Sequence, residues 1–147
     1  MPTPTEGSGT SFDRIHVNIH EMVTLLETGG TFSILSYEIQ MLAPGNTIWE
    51  SIVGGDEQLF TLLTYTKTGL MTGGDYQFRA RASNSFGWGA FSNVVTIKAD
   101  DVPAQIAPVT TTVENIYSRI SWSLPSTTNG APIIEYAVFI LGASGLA

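Results

Sequence analysis

The chain contains no cysteine in its 147 residues. That excludes a disulfide framework, a thiolate nucleophile and a cysteine zinc site, and it leaves the compartment open. Positive charge is scarce: 6 Lys and Arg stand against 13 Asp and Glu, for a formal net charge of −7. A protein that tracks phosphates needs the opposite balance, so no nucleic-acid partner is expected. Charged residues of both signs make up only 13%, about half of the ~25% usual for soluble domains. Long apolar runs are missing as well. No stretch approaches the ~20 residues that span a bilayer. The most apolar one, 133–147, is interrupted by Glu135, Gly142, Ser144 and Gly145, so membrane insertion is not expected. Residues 1–10, MPTPTEGSGT, lack the basic start and apolar segment of a signal peptide; the leader of a secreted form would have been removed or would lie outside this sequence. No GxSxG, P-loop, GxGxxG or Ser/His/Asp constellation occurs. Neither an enzyme activity nor a cofactor is expected.

What is present is a chain of short β signals. Turn marks recur at Gly29-Gly30, Pro44-Gly45-Asn46, Gly54-Gly55-Asp56, Gly73-Gly74-Asp75 and Asn129-Gly130. Between them, apolar residues alternate with polar ones: Ile15, Val17 and Ile19; Tyr37, Ile39 and Met41; Tyr76, Phe78, Ala80 and Ala82 against Gln77, Arg79 and Arg81. Val95 and Ile97, Ile120 and Trp122, and Tyr136, Val138 and Ile140 continue the pattern. Period-2 alternation a few residues long, with turns between, predicts an all-β antiparallel sandwich. Residues 20–28, HEMVTLLET, depart from it, with Met22, Leu25 and Leu26 at helical spacing. The segment is too short for an independent helix and reads as a loop with one helical turn.

An internal repeat with a period of about 100 residues orders the chain. Arg14-Ile15-His16-Val17 aligns with Arg119-Ile120-Ser121-Trp122, and Gly29-Gly30 through Tyr37 aligns with Asn129-Gly130 through Tyr136. Pro4 and Pro108 sit 10 and 11 residues before Arg14 and Arg119. The layout expected is a domain over 1–99, a linker over 100–107, and about three strands of a second, incomplete copy over 108–147.

Residues 69–92, GLMTGGDYQFRARASNSFGWGAFS, resemble the fibronectin type III signature. Leu70 and Tyr76 stand at the family's spacing, and Phe78, Arg79, Ala80, Ala82, Asn84, Gly87, Gly89 and Ser92 fall on its remaining positions. Thr72 replaces the usual Pro. Ile120-Ser121-Trp122 with Pro125 looks like the second strand carrying the core Trp, whereas Val17 holds that place in the first copy. The resemblance implies a fibronectin type III-like sandwich whose structural core includes Leu70, Tyr76, Phe78, Trp122 and Tyr136. Tyr76 is expected to close a tyrosine corner. Trp122→Ala is expected to cost about 3–5 kcal/mol if the second copy packs.

Candidate chemistry is thin. His16 and His20 share a strand face, but no third ligand lies nearby in sequence and HxxxHE is not the zincin pattern. No metal site is expected there. Asp56, Glu57, Asp75, Asp100 and Asp101 read as solvated turn acids, without the ligand spacing of a calcium loop. Phe86, Trp88 and Phe91 form an aromatic cluster with two readings: an exposed patch suited to an interface, or Phe86 and Phe91 capping the end of the sandwich. Ile133, Ile134, Phe139 and Leu141 belong to an apolar run that an incomplete sandwich leaves uncovered. Composition is rich in hydroxyls, with 18 Thr and 13 Ser. Thr110, Thr111, Thr112, Thr127 and Thr128 are candidate O-glycosylation positions, and no N-x-[ST] sequon occurs.

Two functions fit. One is a non-enzymatic structural subunit of an extracellular or cell-surface filament or tandem array, whose partners are copies of itself. Either the chain continues past Ala147, or another chain supplies the missing strands by complementation. The other is an adhesion or receptor ectodomain that binds through the aromatics near Trp88.

Overall fold

Alternation along residues 14–18 puts Ile15 and Val17 on one face, and both are fully buried. That strand is β2 (Arg14–Asn18) in a computed structural model that describes residues 1–30, 33–56 and 58–140. It lies between β1 (Thr5–Glu6) and β5 (Thr64–Thr68) in a three-stranded antiparallel sheet. A second antiparallel sheet runs β4 (Glu50–Val53), β3 (Ser36–Leu42) and β6 (Asp75–Asn84). The free side of β6 is paired first by β7 (Gly87–Trp88) and then by β8 (Val95–Lys98). The chain is thus an all-β, fibronectin type III-like antiparallel sandwich.

The core forms where the inner faces of the two sheets meet. Ile15 and Val17 come from one; Tyr37, Ile39, Met41, Tyr76, Phe78, Ala80, Ala82 and Ile97 come from the other. Val17 is fully buried without the bulk of a Trp. Leu70 is half-buried and packs against this cluster. Tyr76 is 5% exposed, and its hydroxyl accepts the Met71 N–H at 2.8 Å. Removing that hydroxyl strands a partly buried donor, so Tyr76→Phe is expected to cost about 1–3 kcal/mol. An unchanged denaturation midpoint would show that water replaces the bond.

Gly54 ends β4 under tight constraint. Its φ is +76°, and a Cβ there would collide with the Tyr37 carbonyl oxygen. Only glycine combines that backbone with that approach.

The dissenting segment forms a single turn, α1 (Leu25–Thr28). Thr24 and Glu27 make a reciprocal capping box, and Gly29 closes the other end in the left-handed region. None of its residues is buried: Leu25 is 67% and Leu26 93% exposed. The hydrogen bond from Thr24, above all, holds the Glu27 carboxyl below its ordinary range, with His20 contributing less. A depressed carboxyl stabilises the folded form above its unfolded pKa and loses that contribution as pH falls through the folded one. Acidification through and below the usual carboxylate range should therefore fray residues 24–28 while the sheets hold, seen as faster amide exchange confined to that turn.

The second copy differs from expectation. Among the described residues it has two strands, β9 (Thr110–Glu114) and β10 (Tyr117–Ser121), paired as a hairpin across Asn115, whose φ is +57°. The third strand expected through Tyr136, Val138 and Ile140 is not formed, because that stretch has no ladder partner. Trp122 and Tyr136 are not core residues in this chain: they are 40% and 39% exposed. Their rings touch each other, with centroids 5.7 Å apart, and among the described residues no second sheet lies over them.

Candidate functional site

Pairing of β3 with β6 sets Glu38 opposite Arg81 and Gln40 opposite Arg79 on the outward face of the larger sheet. The register turns two isolated arginines into a network. Glu38, whose side chain is only 3% exposed, forms an ion pair with Arg81, and its other oxygen accepts from Gln40 Nε2 at 2.8 Å. Gln40 Oε1 accepts from Arg79 at 2.7 Å and 3.0 Å.

Aromatic rings interleave the guanidiniums. Arg79 Cζ lies 4.2 Å from the centroids of both Trp49 and Phe91. Arg81 Cζ lies 4.6 Å from Phe91 and 4.8 Å from Trp88. The order Trp49, Arg79, Phe91, Arg81, Trp88 is a continuous ladder of cation–π contacts, each worth about 0.5–2 kcal/mol depending on how dry it is. Trp88 Nε1 donates to Asp56 Oδ1 at 2.8 Å, which ties the ladder to the turn after β4. Beside it lies an open depression of about 670 Å³, lined by Glu38, Ser51, Asp56, Gln58 and Arg81 among others.

The break in the last edge strand makes this stack. Between β7 and β8 the chain leaves the ladder, and Ser92 takes over: its N–H bonds Ala80 O, and its hydroxyl accepts the Ala80 N–H. That local detour lifts the Phe91 ring between the two arginines.

The aromatic cluster inferred from sequence therefore divides. Trp88 and Phe91 are half-buried in the ladder, which corrects the expectation of an exposed Trp88 and takes Phe91 off the free surface. Phe86 is 80% exposed at the turn. Trp49, Glu38 and Gln40 escaped notice because no local pattern marks them; the alternation of Arg79 and Arg81 was the available signal. Ile134 and Phe139 are 92% and 91% exposed, and Ile133 is half-buried. Leu141 lies outside the described residues. Thr110, Thr111, Thr112, Thr127 and Thr128 are all exposed.

The titratable groups are dispersed. His16 Nδ1 is 2.8 Å from Thr66 Oγ1, and His20 faces Glu27. Asp75 pairs with Lys98, Asp56 with Trp88, and Asp101 accepts from Ser11. Glu57 lies outside the described residues, and among those described no three of His, Asp and Glu gather as a metal-holding group.

No family model matches the chain. Among solved structures, a crystal structure of a run of domains from titin is similar, with 21% identity and a TM-score of 0.52. The match covers 67% of this chain and 31% of the titin chain, so this chain spans about a third of it. A myokine structure matches with 14% identity and a TM-score of 0.50, over 67% of this chain and 95% of its own. Likeness at these identities establishes the fold, an immunoglobulin-like or fibronectin type III β-sandwich.

Proposed function

We propose that this chain is a non-enzymatic structural unit of the fibronectin type III family, part of a tandem array or filament outside the cell or at its surface, whose partners are copies of itself. The observation that carries the reading is an uncovered face. In the first copy Ile15 and Val17 are fully buried and Tyr37 is 5% exposed. Their aligned counterparts Ile120, Trp122 and Tyr136 lie on a hairpin and a strandless tail, with Trp122 and Tyr136 around 40% open and Ile134 and Phe139 beyond 90%. Bare apolar surface among the described residues calls for cover, from further residues of the same protein or from another copy of it. Among the described residues β10 is paired on one side only, and an open ladder edge is a template for strand addition. The similarity to a fragment holding several domains supports the array half of the reading. Exposed hydroxyls at Thr110–Thr112 and at Thr127 and Thr128 leave room for O-linked sugars. Light scattering across a concentration series is expected to show self-association of the chain, and a stable, fully folded monomer at every concentration would overturn the reading.

A second reading, a ligand- or protein-binding ectodomain, is favoured by the ladder and by Phe86 at its end. Trp88→Ala separates the two. It abolishes partner capture in the binding reading and leaves self-association intact in the structural one.

A further inference from the structure

We infer that residues 98–104 are a stiff joint between the two copies, set by a glycine-on-glycine contact and independent of calcium. From sequence, the short acidic, proline-terminated segment KADDVP over 98–103 reads as a linker. The structure holds it on both sides. Toward the first copy, Ala99 is fully buried, its carbonyl accepts the Gly73 N–H at 2.8 Å, and its own N–H reaches Gly74 O at 3.0 Å. Toward the second copy, Asp101 N–H donates to Asn129 O at 3.0 Å, and Ala104 N–H donates to Thr127 O at 3.1 Å. Asp101 and Gly130 form an isolated parallel bridge. The Asn129 amide closes the arrangement by donating to Val102 O at 2.7 Å.

The contact surface is built from backbone. Asn129 and Gly130 have φ of +51° and +91°, and this left-handed pair turns the main chain onto the Gly73 turn. A Cβ added at Gly130 would sit 2.8 Å from Gly73 N and 2.9 Å from Gly73 Cα. Two main chains without side chains between them leave no slack, so the angle between the copies is fixed by close packing. Asp101, the acid at the contact itself, is already engaged. Asp101 accepts from the Ser11 hydroxyl at 3.0 Å and from its own neighbour, Val102 N–H, at 2.7 Å. Hydrogen bonds thus supply the stiffness that a metal would otherwise provide.

This deepens the array reading and rests on it, since a stiff joint matters where units stand in series. Its test is separate, because light scattering reads assembly while the joint is read within one chain. The absence of native cysteine lets two introduced ones carry spin labels, at the exposed positions Thr47→Cys in the first copy and Thr128→Cys in the second. Electron–electron resonance is expected to give one narrow distance distribution in EDTA, unchanged by added calcium. A broad distribution, or one that narrows only with calcium, overturns the inference. Gly130→Val on the same labelled chain should displace or split the peak while the first copy melts as before. A peak unmoved in position and width would show that the glycine contact does not set the angle.

Discussion

Phe78→Ala is expected to lower the stability of the first copy by about 3–5 kcal/mol, the usual cost of emptying an aromatic site in a closed core. Phe78 is fully buried midway along β6, in register with Met41 on β3 and Val95 on β8. Neighbours come from both sheets, so collapse into the void would need both to move, and well-packed interiors resist that. In a domain of about 100 residues each kcal/mol moves the melting midpoint by about 4–8 °C. A fall of at least about 12 °C in a circular dichroism melt is therefore expected. A fall within the scatter of repeat melts would mean that the sandwich interior is fluid at this position. Trp122→Ala, by contrast, removes a ring already 40% open to solvent, and its effect should be far smaller than a core Trp would give.

Glu38→Ala is expected to cost about 3–5 kcal/mol, because it strips the partner from a largely desolvated guanidinium. The Glu38 side chain is 3% exposed and that of Arg81 23%. With the carboxylate gone, Arg81 keeps, among the described residues, the faces of Phe91 and Trp88. The paired change Glu38→Leu with Arg81→Met is the informative control, since replacing a buried ion pair by apolar side chains is often neutral or stabilising. Chemical denaturation should find the double variant well above the single one. Equal destabilisation would show that the ladder depends on Arg81 as the middle of its stack and not on the ion pair.

Much of the sandwich was legible in sequence, for a physical reason. Where one face is buried and the other wet, the period of two is written directly into the residues, as in YQFRARA and RIHVN. β5 lacked that contrast: Thr64, Thr66 and Thr68 are exposed, and Tyr65 and Lys67 are only half-buried. β4 is four residues long with a single buried side chain, Val53. Strands so short or so shallow announce themselves only through their partners. The ladder was illegible for a different reason. That Arg81 meets Glu38, 43 residues away, follows from register, and a slip of one residue would exchange every pairing. Trp122 and Tyr136 look like core in a string of letters, but burial belongs to the pair of sheets and not to the residue. Among the described residues the second copy has two strands, and neither belongs to a sheet that covers them.

The discontinuity at Ser92 has a consequence for how such modules can crowd together. β6 runs ten residues, yet the strand along its outer flank is split into two residues at 87–88 and four at 95–98. An approaching strand finds no long straight row of free amides and carbonyls there, and Lys98, paired with Asp75, ends the second piece. Edges interrupted and charged in this way resist sheet-to-sheet fusion. A neighbouring strand is therefore discouraged from zipping onto this flank of the larger sheet, so its cation–π ladder stays clear of main-chain fusion along that side.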